Sequence, residues 1–185
     1  SRHSNSNKAL DNTTEELKNT ISQIDQAAVN GVNWLLQLQN RDGGWPTFCR
    51  GWGNLPFDRS GSDLTAHAIR ALHRWQQILG THQPTKSPQN STQLPTTLLL
   101  HSKQLQTAIK RAVGFLTRQQ RPDGSWLPLW FGNQDEPDDT NPIYGTARVL
   151  IALHETGLHD QEAALHGLRY LQNRQNVDGG WGGGV

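Results

Sequence analysis

The sequence predicts an all-α fold built of helical hairpins and left incomplete, and three observations predict it. A short unit occurs three times: WLLQLQNRDGGW (Trp34–Trp45), FLTRQQRPDGSW (Phe115–Trp126) and YLQNRQNVDGGW (Tyr170–Trp181) align without a gap. Apolar residues before the units recur at helical spacing, as in Ala28, Val32, Leu35 and Leu36, or Ala108, Ala112, Phe115 and Leu116. No segment alternates apolar and polar residues as a half-buried strand would. A repeated unit of this kind points to stacked supersecondary modules.

The elements follow in chain order. Residues 1–23 are polar, have little to bury, and read as a tail. Residues 24–185 read as the folded domain. Each repeat begins as a helix and carries Gln at the same column (Gln39, Gln120, Gln175). Asp-Gly then stops the helix, glycine supplying the positive φ of a turn. Trp45, Trp126 and Trp181 are expected to fold back over the helix ends, with each Gln amide bonding backbone groups and stacking on its own Trp. On their own these repeats read as structural staples without chemistry.

Between repeats lie partner helices. SDLTAHAIRALHRWQQIL begins at a Ser62 or Asp63 N-cap and is expected to bury Leu64, Ala68, Ala71, Leu72 and Trp75. PIYGTARVLIALHETG is expected to bury Tyr144, Ala147, Leu150 and Ile151 and to stop at Gly157. A polar insertion at about 80–104 reads as flexible. After the third repeat the chain closes on GGWGGGV, where a sixth helix is expected, and it contains no Met. The expectation is a processed or excised piece of a longer protein.

Composition excludes several classes. A net charge of +1 with scattered basic residues gives no nucleic-acid footprint. One cysteine cannot form an internal disulfide framework. No apolar run is long enough to span a bilayer, and the first residues lack the apolar stretch of a signal peptide.

The repeat resembles the "QW" motif of squalene-hopene and oxidosqualene cyclases. The likeness covers Ala27 to Val185 apart from the 80–104 insertion, and it points to the catalytic, C-terminal half of a bacterial squalene-hopene cyclase. It implies an (α/α) toroid, of the kind terpenoid cyclases share with protein prenyltransferases, with repeat helices outside and partner helices inside. It also implies cyclisation of squalene or a related polyprenoid without metal or cofactor. An aspartic acid starts the reaction by protonating a terminal alkene, and aromatic faces guide the carbocations. The implied setting is the bacterial cytoplasm, with the parent protein monotopic on the inner membrane and open to homodimer formation. The remainder of that parent is the implied partner.

Site residues come over position by position. SDLTAH is similar to the family's Glu-Asp-Val-Thr-Ala-His segment, so the resemblance gives His67 the role of assisting the acid and Asp63 that of its polar partner. An i, i+4 pair lies on one helix face, so Asp63 is expected to orient His67 and favour its charged form. A helix-capping Asp with an ordinary core His remains the alternative. PTFCRGW resembles a substrate-channel constriction, which places Phe48, Cys49 and Trp52 there. Trp130 and Tyr144 match a cavity Trp and a cavity Tyr. Each of these five could equally be core.

The family's Asp-x-Asp-Asp-Thr acid motif does not occur in the chain. The segment Pro137–Thr140 (PDDT) sits in a polar loop between Glu136 and Pro142, where an acid would stay ionised. The isolated chain is therefore expected to be inactive. The insertion FGNQDEPDDTNPI and the divergent loop CRGWGNLPFDR leave room for another polyprenoid substrate. Two other readings stay open. A prenyltransferase-like subunit would need zinc, but Cys49 has no nearby Asp-x-Cys arrangement. A non-catalytic toroid could serve for binding or scaffolding, though the Cys-Gly-Glu-Gln motif of thioester domains is not here.

Overall fold

A computed structural model describes residues 2–50, 55, 57–81 and 96–182. Among the described residues there are five α-helices: α1 (Arg2–Leu38), α2 (Ser62–Thr81), α3 (Thr96–Gln119), α4 (Pro142–Glu155) and α5 (Glu162–Asn173). A 3-10 turn spans Pro137–Asp139. The described residues form no strand, only an isolated antiparallel bridge between Trp45 and Gly61. The all-α reading therefore holds.

Two expected boundaries differ. The segment read as a tail over 1–23 is helical from Arg2 on and runs unbroken into the first repeat helix. Its polarity was read correctly, since Leu17, Ile21 and Ile24 are exposed with their polar neighbours. Local bonds such as Thr20 Oγ1 to the Glu16 carbonyl (2.9 Å) and Gln26 Nε2 to Asn30 Oδ1 (3.0 Å) keep the helix regular without a core. The break between compact units falls between Gln37 and Leu38 rather than after residue 23. The insertion is also shorter than expected, because α2 reaches Thr81 and α3 begins at Thr96; residues 82–95 lie outside the described set.

Within the second unit, α2 packs on both α3 and α4, and α4 packs on α5. Partner helices α2 and α4 thus lie side by side, each backed by a repeat helix. The buried side chains come from all four: Ile69 and Leu72, Leu105 to Leu116 along one face of α3, Val149 and Leu153, and Ala164 and Tyr170. The apolar face expected on α3 (Ala108, Ala112, Phe115, Leu116) is buried throughout.

On the partner helices the buried face is rotated from the expected one. In α2, Ala68 and Leu72 are buried, but Leu64 and Trp75 are half-buried and Ala71 is exposed. In α4 the buried residues are Gly145, Thr146, Val149, Ala152 and Leu153, while Tyr144, Ala147 and Leu150 are half-buried and Ile151 is exposed. The cause is close backbone approach. A Cβ on Gly145 would lie 2.3 Å from the Trp126 carbonyl oxygen, so only a small residue fits where the repeat turn presses on α4. The bulkier residues are turned away from that contact.

The repeat turns explain the rest of the packing. In each, the Asp side chain accepts the N–H two residues on: Asp42 from Gly44 (2.9 Å), Asp123 from Ser125 (3.0 Å) and Asp178 from Gly180 (2.9 Å). The intervening glycines have φ of 97°, 91° and 86°, a region costly to any residue with a Cβ. Each Gln amide donates to its own turn's glycine carbonyl, at Gly43, Gly124 and Gly179. Gln39 also donates to the Ala108 carbonyl on α3, and Gln120 to the Ala163 carbonyl on α5, both at 2.9 Å. The Trp126 and Trp181 indoles donate to the Leu116 and Leu171 carbonyls at 2.7 Å.

Trp45 and Trp126 are buried, but Trp181 is 47% exposed. The third repeat forms the turn without the burial expected of it, because among the described residues no helix rests on it. A Cβ on Gly179 would meet nothing closer than 4.0 Å, whereas one on Gly43 or Gly124 would strike a carbonyl oxygen of Arg111 or His166.

Candidate active site

The stretch from Trp45 to His67 frames the start of α2. Thr65 Oγ1 accepts the Trp45 N–H (3.0 Å), and the Trp45 carbonyl accepts the Gly61 N–H (3.0 Å). Helix α2 begins at Ser62, so Gly61 stands at the cap position and its carbonyl accepts the Thr65 N–H at 2.9 Å. The expected N-cap role of Ser62 or Asp63 is therefore not met. Asp63 lies inside the first turn, where the helix dipole favours its charge.

Asp63 is buried, and its Oδ1 accepts the backbone N–H of Leu129 at 3.2 Å. Its Oδ2 is the one buried side-chain polar atom without a hydrogen-bond partner among the described residues. The carboxylate thus ties α2 to the loop that carries Trp130. That loop is held from a second side, because the Trp130 indole donates to Thr47 Oγ1. Phe131 then packs on Tyr144 with ring centroids 5.0 Å apart, and the Arg148 guanidinium lies 4.9 Å over the Tyr144 ring. Asp63, Trp130 and Tyr144 are brought together by these contacts, with Thr47, Leu129, Phe131 and Arg148 as links.

His67 sits on α2 beside this group, and its electrostatics differ from expectation. Partial burial, then Arg148 and Arg70, lower its pKa from 6.5, and Asp63 only partly offsets them. Neutral imidazole is the favoured form. The predicted preference for imidazolium fails because burial, and after it the two arginines near the ring, outweigh the pull of Asp63.

The channel residues lie further out. Phe48 is 71% exposed on the loop that also carries Thr47, with its N–H donating to the Phe57 carbonyl at 3.4 Å. Cys49 is exposed too. Trp52 falls outside the described residues. Asp138 and Asp139 of the PDDT segment are exposed in the 3-10 turn, with φ of 59° and 53°. They line a cavity of about 300 Å³ that also borders Trp130 and Phe131.

Arg148 is the residue that reading the motifs in isolation misses, although a signal exists. Thr65-Ala66-His67 and Thr146-Ala147-Arg148 are equivalent segments: each Thr follows its repeat Trp by 20 residues and accepts that Trp's N–H at 3.0 Å. Arg148 therefore holds on α4 the place that His67 holds on α2, and Tyr144 that of Asp63.

The sequence model of the family described as squalene-hopene cyclase C-terminal domain matches residues 8–185. The chain belongs to the squalene-hopene cyclase family. Among individual relatives, enfumafungin synthase of Hormonema carpetanum is 31% identical over 169 residues, covering 83% of this chain and 11% of that protein. The squalene–hopene cyclase of Bradyrhizobium diazoefficiens is 28% identical over 88% of this chain and 22% of its own length. Drimenyl diphosphate synthase of Streptomyces showdoensis is 30% identical over 84% of this chain and 23% of its own length. The chain thus spans less than a quarter of the length of each of these relatives.

Proposed function

We propose that this chain forms part of a squalene-hopene cyclase-like enzyme that cyclises squalene or a related polyprenoid by acid-initiated carbocation chemistry. The observation that supports it best is the linkage of Asp63, Trp130 and Tyr144 through the Leu129 and Thr47 hydrogen bonds, with His67 alongside. Electron-rich rings beside an acid-assisting group are what a carbocation cascade requires, since each ring face attracts a passing cation. In this reading Asp63 and His67 assist an acid supplied from outside this chain, and Phe48, Cys49 and Trp52 line the approach.

The shift at His67 sets a condition on that reading. Carboxylates of the acid motif must stand close enough to reverse the effect of Arg148 and Arg70, since a nearby negative charge favours imidazolium. Among the described residues no helix is long and apolar enough to cross a membrane. The peripheral setting on the cytoplasmic side of the bacterial inner membrane is the part of this reading that the family resemblance alone suggests.

The test is turnover of squalene by the full-length protein. His67→Ala should cut turnover by about 10²–10⁴-fold, the range for proton-transfer assistance, and Asp63→Asn should cut it less. Trp75→Ala should lower the melting temperature instead. Unchanged turnover in His67→Ala would overturn the assignment, as would squalene cyclisation by the 185-residue chain alone.

A further inference from the structure

One docking contact is made twice within the chain, and each of its two halves is present once more without a partner. The first repeat turn rests on α3 and the second on α5. In both, the Gln donates to the carbonyl seven residues before the next repeat's aromatic: Gln39 to Ala108 and Gln120 to Ala163, each at 2.9 Å. The turn glycine abuts the carbonyl four residues before that aromatic. A Cβ on Gly43 would lie 2.5 Å from the Arg111 oxygen, and one on Gly124 would lie 2.7 Å from the His166 oxygen. The first turn also admits the aromatic itself, since a Cβ on Gly44 would come within 3.0 Å of the Phe115 ring. In the second, the Trp lies on the small residue three before the aromatic: a Cβ on Gly167 would lie 2.6 Å from the Trp126 ring.

Helix α1 carries the receiving half again. Ala27, Asn30, Gly31 and Trp34 stand at the same columns as Ala108, Arg111, Ala112 and Phe115 of α3. Ala27, Asn30 and Gly31 are exposed, and a Cβ on Gly31 would meet nothing within 4 Å. Trp34 is 54% exposed, whereas Phe115 and Tyr170 at its column are buried. The third turn carries the inserting half. Gln175 Nε2 donates to the Gly179 carbonyl at 2.8 Å and to no later helix among the described residues. The atoms nearest a Cβ on Gly180 would all belong to Asp178 of its own turn. Val177 and Trp181 are exposed beside it.

We infer that the third repeat turn docks head to tail on α1 of a second copy of this chain. Gln175 donates to the Ala27 carbonyl of the second copy, and Gly179 abuts its Asn30 carbonyl. Gly180 admits its Trp34 ring, and Trp181 covers its Gly31. The match is chemical as well as steric. A backbone carbonyl has two lone pairs, so Ala27 can accept the Gln175 amide and keep its helix bond. The two exposed indoles leave water together. Because the halves are different surfaces, the interface is heterologous and passes from copy to copy until a ring closes. It makes no use of Asp63 or His67 and stands apart from the cyclase reading. A further repeat module in a longer protein would compete for the same two faces, so the association belongs to the 185-residue chain.

Sedimentation velocity of the 185-residue chain over a broad concentration series tests the inference. The average mass should rise with concentration, and the Trp34 and Trp181 indole resonances should shift together while that of Trp126 stays fixed. Gly31→Phe blocks the receiving face and Gly180→Phe the inserting one, and neither position packs on another element within the copy. Each should raise the concentration of half-association roughly tenfold or more. Mixed in equal amounts, the two variants should form a one-to-one heterodimer and stop there, because each keeps the half that the other lacks. Circular dichroism checks that both retain the wild-type helix content; if either does not, the paired movement of the wild-type indole resonances decides alone. A chain that stays monomeric at millimolar concentration would overturn the inference. So would association that the variants leave unchanged, or folded variants that fail to pair.

Discussion

The hydroxyl of Thr146 accepts the backbone N–H of Trp126 at 3.0 Å, and both residues are fully buried. Thr65 does the same for Trp45. Valine has the shape of threonine but no acceptor, so Thr146→Val strands a buried N–H. The expected loss is about 1–3 kcal/mol, read as a lower midpoint in urea with an unchanged slope. Thr146→Ser should keep most of the stability, and if it falls as far as valine, side-chain shape rather than the hydrogen bond is what matters.

The three repeat tryptophans are unequal in burial and should be unequal in energetic weight. Trp126→Ala removes a fully buried indole and the bond to the Leu116 carbonyl, at an expected cost of about 3–5 kcal/mol. Trp181→Ala removes a half-exposed one and should cost well under half as much. Equal losses in thermal unfolding would contradict the exposed placement of Trp181.

Two helical glycines should respond with opposite sign to alanine. At Gly145 a Cβ would sit 2.3 Å from the Trp126 carbonyl oxygen and 2.9 Å from Pro128; overpacking of this kind costs about 1–3 kcal/mol. Gly114 lies within α3, where a Cβ would approach only the Arg118 Nη1 at 3.4 Å. Gly114→Ala should stabilise by about 0.5–1 kcal/mol through helix propensity and unfolded-state entropy. Denaturation of the two variants side by side checks both signs.

His67 makes a pH-dependent contribution whose direction is fixed by its environment. Partial burial and the two arginines depress its folded pKa below the unfolded value near 6.5. Its contribution is therefore complete above about pH 6.5 and is lost as pH falls through the folded pKa, because the unfolded chain then binds the proton more readily. Arg148→Gln should move the folded pKa upward and flatten that dependence. Proton NMR of the imidazole across pH 5–8 reads the shift, and no upward movement would place Arg148 away from His67.

Much of the fold was legible because the repeat unit carries its geometry locally. Asp, Gly and Gln at fixed columns specify a turn whose hydrogen bonds close mostly within itself. The apolar stripe of α3 was equally plain, since α3 packs on α2 through one face. The partner helices were less readable. Their buried faces are chosen by where the Trp45 and Trp126 turns press, which selects Thr65, Gly145 and Thr146 over the bulkier Leu64, Leu150 and Ile151. Hydrophobicity alone ranks those residues the other way round.

The candidate site divides along the same line. Asp63, Trp130 and Tyr144 are candidates already in the sequence because the family resemblance reaches them directly. Thr47 and Leu129 act through single hydrogen bonds across 83 and 66 residues of sequence, and nothing in their local pattern announces the partner. The charge state expected at His67 failed for a related reason. An i, i+4 carboxylate can be read along one helix, but the burial that outweighs it, and the Arg148 charge that adds to it, come from the tertiary packing.

The first two repeat turns are each completed by a helix that lies later in the chain: Gln39 reaches Ala108, and Gln120 reaches Ala163. On a ribosome this imposes a lag. The first turn emerges with its outward N–H and its Gly43 surface uncovered, and it stays so until α3 has been synthesised. The second waits likewise for α5. Maturation should therefore advance as a zipper one module behind the exit tunnel, with the newest turn always the sticky end and the natural place for a chaperone to hold.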